Sequence, residues 1–266
     1  MRISTIFYTT AIWMALVWSS CYTRKDGCLD ILAKNYDVTA DDACVTTCCT
    51  YPQLVVSVEN MVGDSTFNVL DTLTTSRGQK YRIIDLRCYF SDFTLFQKDG
   101  KTLKINEIIS NSDKTVSVYD DMKIWRWVDA AFSPGTIKGS GTFDSIQFIL
   151  GLPTPVLINT FTNLTSDHPL LTENKLKDTN GNTIFMSVRC VRYLSITDTI
   201  NLFVPTSNIP NIFAFTKPTT IPTGTDINIK IKSDFQALLH NVDINQSQSS
   251  INNLMALNIK SFILVD

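Results

Sequence analysis

The sequence has few histidines, few glycines and almost no net charge, and each of these features argues against a class of function. Its 266 residues include 2 histidines and 10 glycines, and the formal net charge is -2. Without an excess of basic residues, the chain lacks the electrostatic footprint of a nucleic-acid-binding protein. Any Ser-His or Cys-His catalytic pair would have to use one of these two imidazoles, and no serine has the spacing of a nucleophile elbow.

Two further segments argue against an enzyme. The glycine-containing stretch SPGTIKGSG at 133–141 lacks the residue order of a phosphate-binding loop, so we interpret it as a hairpin loop. The adjacent carboxylates Asp120 and Asp121 lie in a polar turn and are interpreted as solvated turn acids. We therefore predict a binding protein and no catalytic site.

Long hydrophobic runs are also absent, and the apolar run AIWMALVW at 11–18 is too short to span a bilayer. Residues 1–20 are predicted to be a lipoprotein signal peptide, because Ser19-Ser20-Cys21 resembles a bacterial lipobox of the looser Bacteroidetes type. Cys21 would then carry the lipid and anchor an exported protein in the outer membrane. The alternative is an ordinary signal peptide cut nearby, with Cys21 in a disulfide.

The cysteine count fits export. If Cys21 is acylated, an even number of cysteines remains for an oxidising compartment, although their pairing is open. Residues 21–52 are rich in cysteine and predict a disulfide-stapled tether, in which Cys28 could pair with Cys44. The six candidates for disulfides are Cys28, Cys44, Cys48, Cys49, Cys88 and Cys190.

The acidic residues of the tether raise the possibility of calcium in the 27–49 module. Four carboxylates could supply oxygen ligands, but solvated carboxylates around a disulfide loop are the favoured interpretation. These four are Asp30, Asp37, Asp41 and Asp42. A zinc site made by Cys44, Cys48 and Cys49 is disfavoured, because no histidine is near and the compartment oxidises thiols.

From Tyr51 onward the hydrophobic pattern has a period of two, which predicts strands. Short strands separated by Asn, Gly, Pro and Asp turns predict that residues 53–266 form an antiparallel β-sandwich, immunoglobulin-like or cupredoxin-like. Turns are predicted at Asp99-Gly100 and Asn180-Gly181. The predicted strands include QLVVSVEN, two or three within 80–105, SGTFDSIQFIL, TIFMSVRCVRYLSI, DTINLFV, NIFAF, DINIKIKSDF and a final MALNIKSFILVD.

Helical periodicity is weak. It predicts at most a short helix in SDFQALLHNVD and one turn near LKINEIIS. Cys88 and Cys190 both lie inside predicted strands, so they are expected either to form a disulfide between the sheets or to be two buried thiols.

Three elements over about residues 54–265 resemble the MbnP-like copper-binding proteins, the methanobactin-associated periplasmic family. They are RIIDLRCYFSDFTLFQKDGK, the strand and turn GTFDSIQFILGLP, and the run Asp167-His168-Pro169-Leu170. The resemblance implies an exported β-sandwich that binds copper, in some members through histidine and an oxidised tryptophan. It also implies a di-haem partner of the cytochrome peroxidase type. Here no tryptophan follows His168, and Phe215 or Thr216 stands where a later family histidine is expected.

Copper binding through a reduced site around His168 would need soft partners, because one imidazole holds copper weakly. Candidate ligands are His240, Met186 or Met255, and either thiol if Cys88 and Cys190 stay reduced, with Asp167 as an acceptor for the imidazole N–H. The competing interpretation is that Asp167-His168-Pro169 builds a turn.

The segment KIWRW offers a different kind of binding site. Trp125 and Trp127 share one face of a strand, where they form either part of the core or an exposed patch for a partner. The sequence therefore predicts an exported binding protein, with an accessory subunit of an outer-membrane protein complex as the alternative.

Overall fold

The structure is a computed structural model and describes residues 22–45, 47–68, 70–194, 197–206 and 211–265. The predicted signal peptide and Cys21 lie outside the described residues. The described residues are mostly β, with two short helices and one of 15 residues. The strands are β1 Asp26–Gly27, β2 Asp42–Ala43, β3 Gln53–Val62, β4 Ser65–Thr66, β5 Leu73–Thr74, β6 Lys80–Gln97, β7 Thr102–Leu103, β8 Ile108–Ser110, β9 Ser117–Tyr119, β10 Lys123–Arg126, β11 Ala131–Thr136, β12 Gly141–Leu150, β13 Ile184–Arg192, β14 Thr199–Pro205, β15 Asn211–Ile221, β16 Ile227–Asp234 and β17 Ile263–Val265. The helices are α1 Thr154–Ile158, α2 Phe235–Leu239 and α3 Gln248–Phe262.

Two sheets form the predicted sandwich. The main sheet has the order β14-β13-β6-β12-β15, with β5, β7 and β10 also paired to β6. The second sheet has the order β11-β3-β16-β17, with β4 paired to β3. Most pairs are antiparallel, as predicted, but β16 runs parallel to β3. Phe132 of β11 packs 5.1 Å from Phe90 of β6, ring centre to ring centre, so the core lies between the sheets.

The central strand of the main sheet is β6, which has 18 residues and pairs with β7 across the Asp99-Gly100 turn, so the stretch 80–105 holds two strands, as predicted. The side chains of β6 alternate across the sheet. Cys88 and Phe90 lie on the face that packs against the second sheet, whereas Arg87 and Tyr89 lie on the opposite face, which we call the outer face and where Tyr89 is also buried. A bulge at Asp92, with φ of 53°, interrupts the pairing with β12.

The predicted turns are confirmed. Gly100 and Gly181 have φ of 83° and 84°, and their amides close turns on Gln97 and Asp178. Gly151, at the end of β12, has φ of 133°, and an added Cβ would lie 3.1 Å from the ring of Phe185. Glycine therefore suits the sharp turn after this strand.

The C-terminal prediction was wrong, because residues 248–262 form α3 and only β17 is a strand. Every third or fourth residue of α3 is buried: Ile251, Met255, Ile259 and Phe262. This helix also covers the open edge of β14, since the amide of Phe203 donates to the Oδ1 of Asn252 over 2.9 Å. The short helix near 235–239 is confirmed, whereas the turn predicted near LKINEIIS is strand β8.

Among the cysteines that the structure describes, those of the N-terminal module are paired and the other two are free. The disulfides join Cys28 to Cys49 and Cys44 to Cys48, so the pairing of Cys28 with Cys44 was wrong. Cys88 and Cys190 are free and fully buried. They lie on neighbouring strands of one sheet, where Cys88 faces Met186 and Cys190 faces Ile83, so the register keeps the two thiols apart.

Candidate functional site

Residues 163–176, which we call the His168 segment, are attached to the outer face of the main sheet by Tyr89. The Tyr89 hydroxyl donates to the carbonyl of Pro169 over 3.0 Å and accepts from the amide of Leu176 over 3.1 Å. All of these atoms are buried, and burial raises the pKa of Tyr89 to about 12. One side chain of β6 thus holds the segment at two points.

The predicted turn at His168 is present. The amide of Leu171 donates to the carbonyl of His168 over 3.1 Å, with Pro169 at the second position of the turn. The side chain of His168 is 6% exposed. Its Nδ1 accepts from the amide of Leu170 over 3.1 Å, and its Nε2 lies 2.7 Å from the Oδ1 of Asp120. Because an amide can only donate, these partners assign the proton to Nε2 and make Nδ1 an acceptor.

Asp120 and Asp121 are structural residues, so their interpretation as solvated turn acids was wrong. Asp120 receives the His168 bond just before β10 begins. Asp121 is 3% exposed, and its carboxylate accepts from the amide of Phe93 over 2.6 Å, beside the bulge at Asp92. Burial is the main cause that raises the pKa of Asp121 to about 6.

A cleft of about 740 Å³ lies beside this pair. Its walls come from β6, β10 and β11 and from the His168 segment. The lining is polar and carries charges of both signs. The charged side chains of the lining are Arg87, Lys123, Arg126, Glu107, Asp120, Asp167 and Glu173.

The donor set of the cleft does not fit the copper site that the sequence resemblance implies. A metal at the Nε2 of His168 would require a proton on Nδ1, but that atom faces the amide donor of Leu170. Asp120 supplies only a hard carboxylate ligand. Among the described residues, the only three His, Cys, Asp or Glu ligand atoms within 4.8 Å of one another belong to Cys44, Cys48 and Cys49.

The structure does not bring the predicted soft ligands to His168. His240 is exposed at the end of α2 and lines a separate hollow with Asp234 and Asn258. Met186 is fully buried opposite Cys88 in the main sheet, on the core face. The alternation of side chains along a strand places it on the side away from the cleft.

Asp167 is not the acceptor for the imidazole. It is exposed, and a hydrogen bond with Thr165 is the main cause that holds the pKa of Asp167 below its ordinary value. Asp120, 48 residues away in sequence, takes the predicted role. The sequence offered no local signal for this pairing beyond the presence of two adjacent acids in a turn.

In the described part of the N-terminal module, the cysteines predicted for zinc and the carboxylates predicted for calcium are all bonded to other groups. Cys44, Cys48 and Cys49 are all bonded in disulfides and have no thiolate to give. The four acids of the proposed calcium site bond to partners within the module. Asp30 bonds Leu32 and Tyr51, Asp37 bonds Lys25 and Thr39, Asp41 bonds Tyr22 and Lys25, and Asp42 bonds Arg24.

The exposed tryptophan patch is also wrong. Trp125 is 0% exposed and its indole N–H donates to the carbonyl of Asp129 over 2.8 Å. Trp127 is 6% exposed and packs against Phe67 and Phe235. Both tryptophans therefore belong to the core.

The fold and the site together define a β-sandwich with a disulfide-bonded N-terminal module and a polar cleft that is lined by strands of both sheets and by the His168 segment. No protein-family profile matches the chain, and no curated relative matches it. Among solved structures, MbnP from Methylosinus trichosporium is similar over 72% of this chain and 78% of that one, with 13% identity and a TM-score of 0.43. No helix among the described residues is long and apolar enough to cross a membrane.

Proposed function

We propose that this protein is an exported binding protein and that the cleft beside His168 is its binding site. The observation that carries the proposal is the partly buried Asp120–His168 pair, held in one arrangement at the wall of the cleft. A volume of about 740 Å³ is within the range of small-molecule sites. Since the pair and its Tyr89 support are ordered by internal hydrogen bonds, the site is formed before a ligand arrives.

Two disulfides support a location outside the cytoplasm, where thiols are oxidised. We further propose that Cys21 carries a lipid that anchors the protein in the outer membrane. Mass spectrometry of the mature protein tests this point. An acylated N-terminus at Cys21 supports the anchor, and an unmodified N-terminus at any other residue contradicts it.

Occupation of the cleft is tested by blocking it. Ser133 lines the cleft without touching the Asp120–His168 pair, so Ser133→Trp should fill the space and leave the pair intact. Ser65→Trp, on the exposed strand β4, is the matched control. Thermal shift and calorimetry with dicarboxylates, sugar phosphates and amino acids should find one class that binds the parent and the control but not Ser133→Trp. Equal binding by all three proteins would contradict the proposal.

Copper is the second candidate, because the sequence resemblance implies it. The Nε2 of His168 lies 2.7 Å from the Oδ1 of Asp120 at an open cleft, but Nε2 could take a cation only if the Leu170 amide first released Nδ1. Titration with Cu(I) and Cu(II) under competition, beside His168→Ala, separates the candidates. Tight one-to-one binding that the variant loses would establish copper. Weak binding that the variant keeps would exclude His168 as a ligand.

An accessory role in an outer-membrane complex, or beside a di-haem peroxidase-type partner, is compatible with the same fold. The scaffold alternative predicts stable co-purification with a membrane complex and no ligand-dependent shift in melting temperature. A cleft ligand whose binding Ser133→Trp abolishes would separate the two functions.

A further inference from the structure

The main sheet places two arginines directly opposite each other on its outer face. Arg126 of β10 pairs in register with Arg87 of β6, and both line the cleft. Side chains at such positions are close neighbours, and like charges directly opposite each other destabilise a sheet. A sequence under no other demand would place an opposite charge at one of the two positions.

The protein neutralises only one of the two guanidinium groups. Arg87 donates through Nε and Nη2 to a single oxygen of Asp85, at 2.9 and 2.8 Å. Arg126 is exposed, and its guanidinium has no hydrogen-bond acceptor among the described residues. The nearby carboxylate of Asp129 accepts instead from the backbone amide of Arg126 over 3.2 Å.

Two acids of the cleft are already engaged elsewhere. Glu107 accepts from the amide and the hydroxyl of Thr136, and Asp120 receives the His168 bond. On the other side of Arg87, its register partner on β13 is Ser187, which adds a hydroxyl to the same row. The row from Ser187 through Arg87 to Arg126 therefore presents hydrogen-bond donors, and its Arg126 guanidinium has no salt-bridge partner in the described part of the chain, although carboxylates also line the cleft.

We propose that Arg87 and Arg126 form an oxyanion subsite, which binds a phosphate or carboxylate group of the ligand that occupies the cleft. Arg126 can donate two parallel hydrogen bonds to such a group, and Arg87, whose Nε–Nη2 edge is held by Asp85, adds its remaining Nη donors. An anion between them converts the repulsion of the apo protein into attraction. This subsite rests on the proposed function of the cleft.

The test uses inorganic phosphate as the probe for a phosphate group of the ligand and acetate as the probe for a carboxylate group. The full-length mature protein is titrated at constant ionic strength, with chloride as the control anion, and its melting temperature is recorded. We expect a saturable rise with phosphate, acetate or both. Arg126→Gln should weaken this binding at least tenfold. Arg77→Gln is the matched control, since Arg77 is an exposed arginine paired with Asp243 outside the cleft.

A second readout separates the subsite from a general charge effect. In low-salt buffer without either probe, Arg126→Gln should melt at the same temperature as the parent or higher, because it removes the like-charge pair. The subsite would be overturned if Arg126→Gln bound phosphate and acetate as tightly as the parent does. It would also be overturned if chloride raised the melting temperature by the same amount as the probes. The failure of the subsite and the failure of the proposed cleft function can be told apart. If Ser133→Trp abolishes the binding of an organic ligand and Arg126→Gln leaves it unchanged, the cleft is a binding site but the arginine subsite is wrong.

If Arg126→Gln loses the binding of phosphate or acetate but no organic ligand is sensitive to Ser133→Trp, the two arginines bind an anion but the proposed function of the cleft is wrong.

Discussion

At the scale of single residues, two buried tyrosines of β6 have opposite hydrogen-bonding situations. Tyr89 bonds both Pro169 and Leu176, whereas the hydroxyl of Tyr81 is buried with no partner. Tyr89→Phe should therefore leave two buried backbone groups unpaired and lower the free energy of unfolding by about 2 kcal/mol or more. Tyr81→Phe should be neutral or stabilising, because it removes an unsatisfied group.

Chemical denaturation measures the free energy of unfolding of both variants. The comparison is matched, because each substitution removes one hydroxyl group from a buried tyrosine. Hydrogen exchange at Leu176 should also become faster in Tyr89→Phe, since its amide loses its acceptor. Equal destabilisation by the two substitutions would mean that Tyr89 does not hold the His168 segment.

Asp121 makes the stability of the folded protein fall as the pH rises. Its pKa is raised from 3.8 to about 6, so between these values the folded protein binds a proton that the unfolded chain has lost. The contribution of Asp121 to stability therefore decreases as pH rises through 6. Asp121→Asn imitates the protonated acid. It should melt above the parent at pH 8, and the difference should vanish near pH 4.

Asp113 is the control, because its effect on stability changes with pH in the opposite direction. It is exposed, and a hydrogen bond from Thr115 is the main cause that lowers the pKa of Asp113. Asp113→Asn should then be slightly less stable than the parent at neutral pH, with the difference shrinking in acid. Melting curves of the three proteins from pH 8 to pH 4 check both signs. A difference for Asp121→Asn that grows in acid would contradict the assignment.

At the scale of elements, strands were predictable and α3 was not. Alternation in β16 and the turn glycines are local signals, and the structure confirms them. The segment NIKSFILV at 258–265 ends in the apolar residues of β17, and this end favours a strand for the whole segment when it is read alone. Packing decides otherwise, because a helix buries Met255 and Phe262 and also covers the edge of β14.

The packing of α3 gives a prediction with an internal control. Met255 is 0% exposed, so Met255→Ala should lower the free energy of unfolding by about 2 to 5 kcal/mol. Leu257 lies two residues further along the same helix and is 76% exposed. Leu257→Ala should change the free energy of unfolding by about 0.5 kcal/mol or less. Urea denaturation compares the two, and similar effects would contradict the helix, because a strand would place both residues on one face.

At the scale of the whole molecule, both disulfides of the described residues lie in the module before β3. Peptide mapping without reduction should recover Cys28 linked to Cys49 and Cys44 linked to Cys48. Cys88 and Cys190 should react with iodoacetamide only in denaturant, because both are buried and burial raises the pKa of each thiol. A peptide that links Cys88 to Cys190 would contradict the register of β6 and β13.

The sequence by itself determined the mostly β class, the turns and the export-compatible cysteine content. These follow from signals within a few residues, such as side-chain alternation and glycines with positive φ. It also determined the turn at His168, because Pro169 restricts the backbone there.

Only the tertiary structure decided what surrounds His168. Asp120 reaches it across 48 residues, and Tyr89 reaches Leu176 across 87. Arg87 meets Arg126 through the register of two strands, and Met186 is directed to the opposite face by the same alternation. A shift of one residue in register would exchange the two faces of a strand, so partners in the cleft depend on pairings that no local pattern specifies.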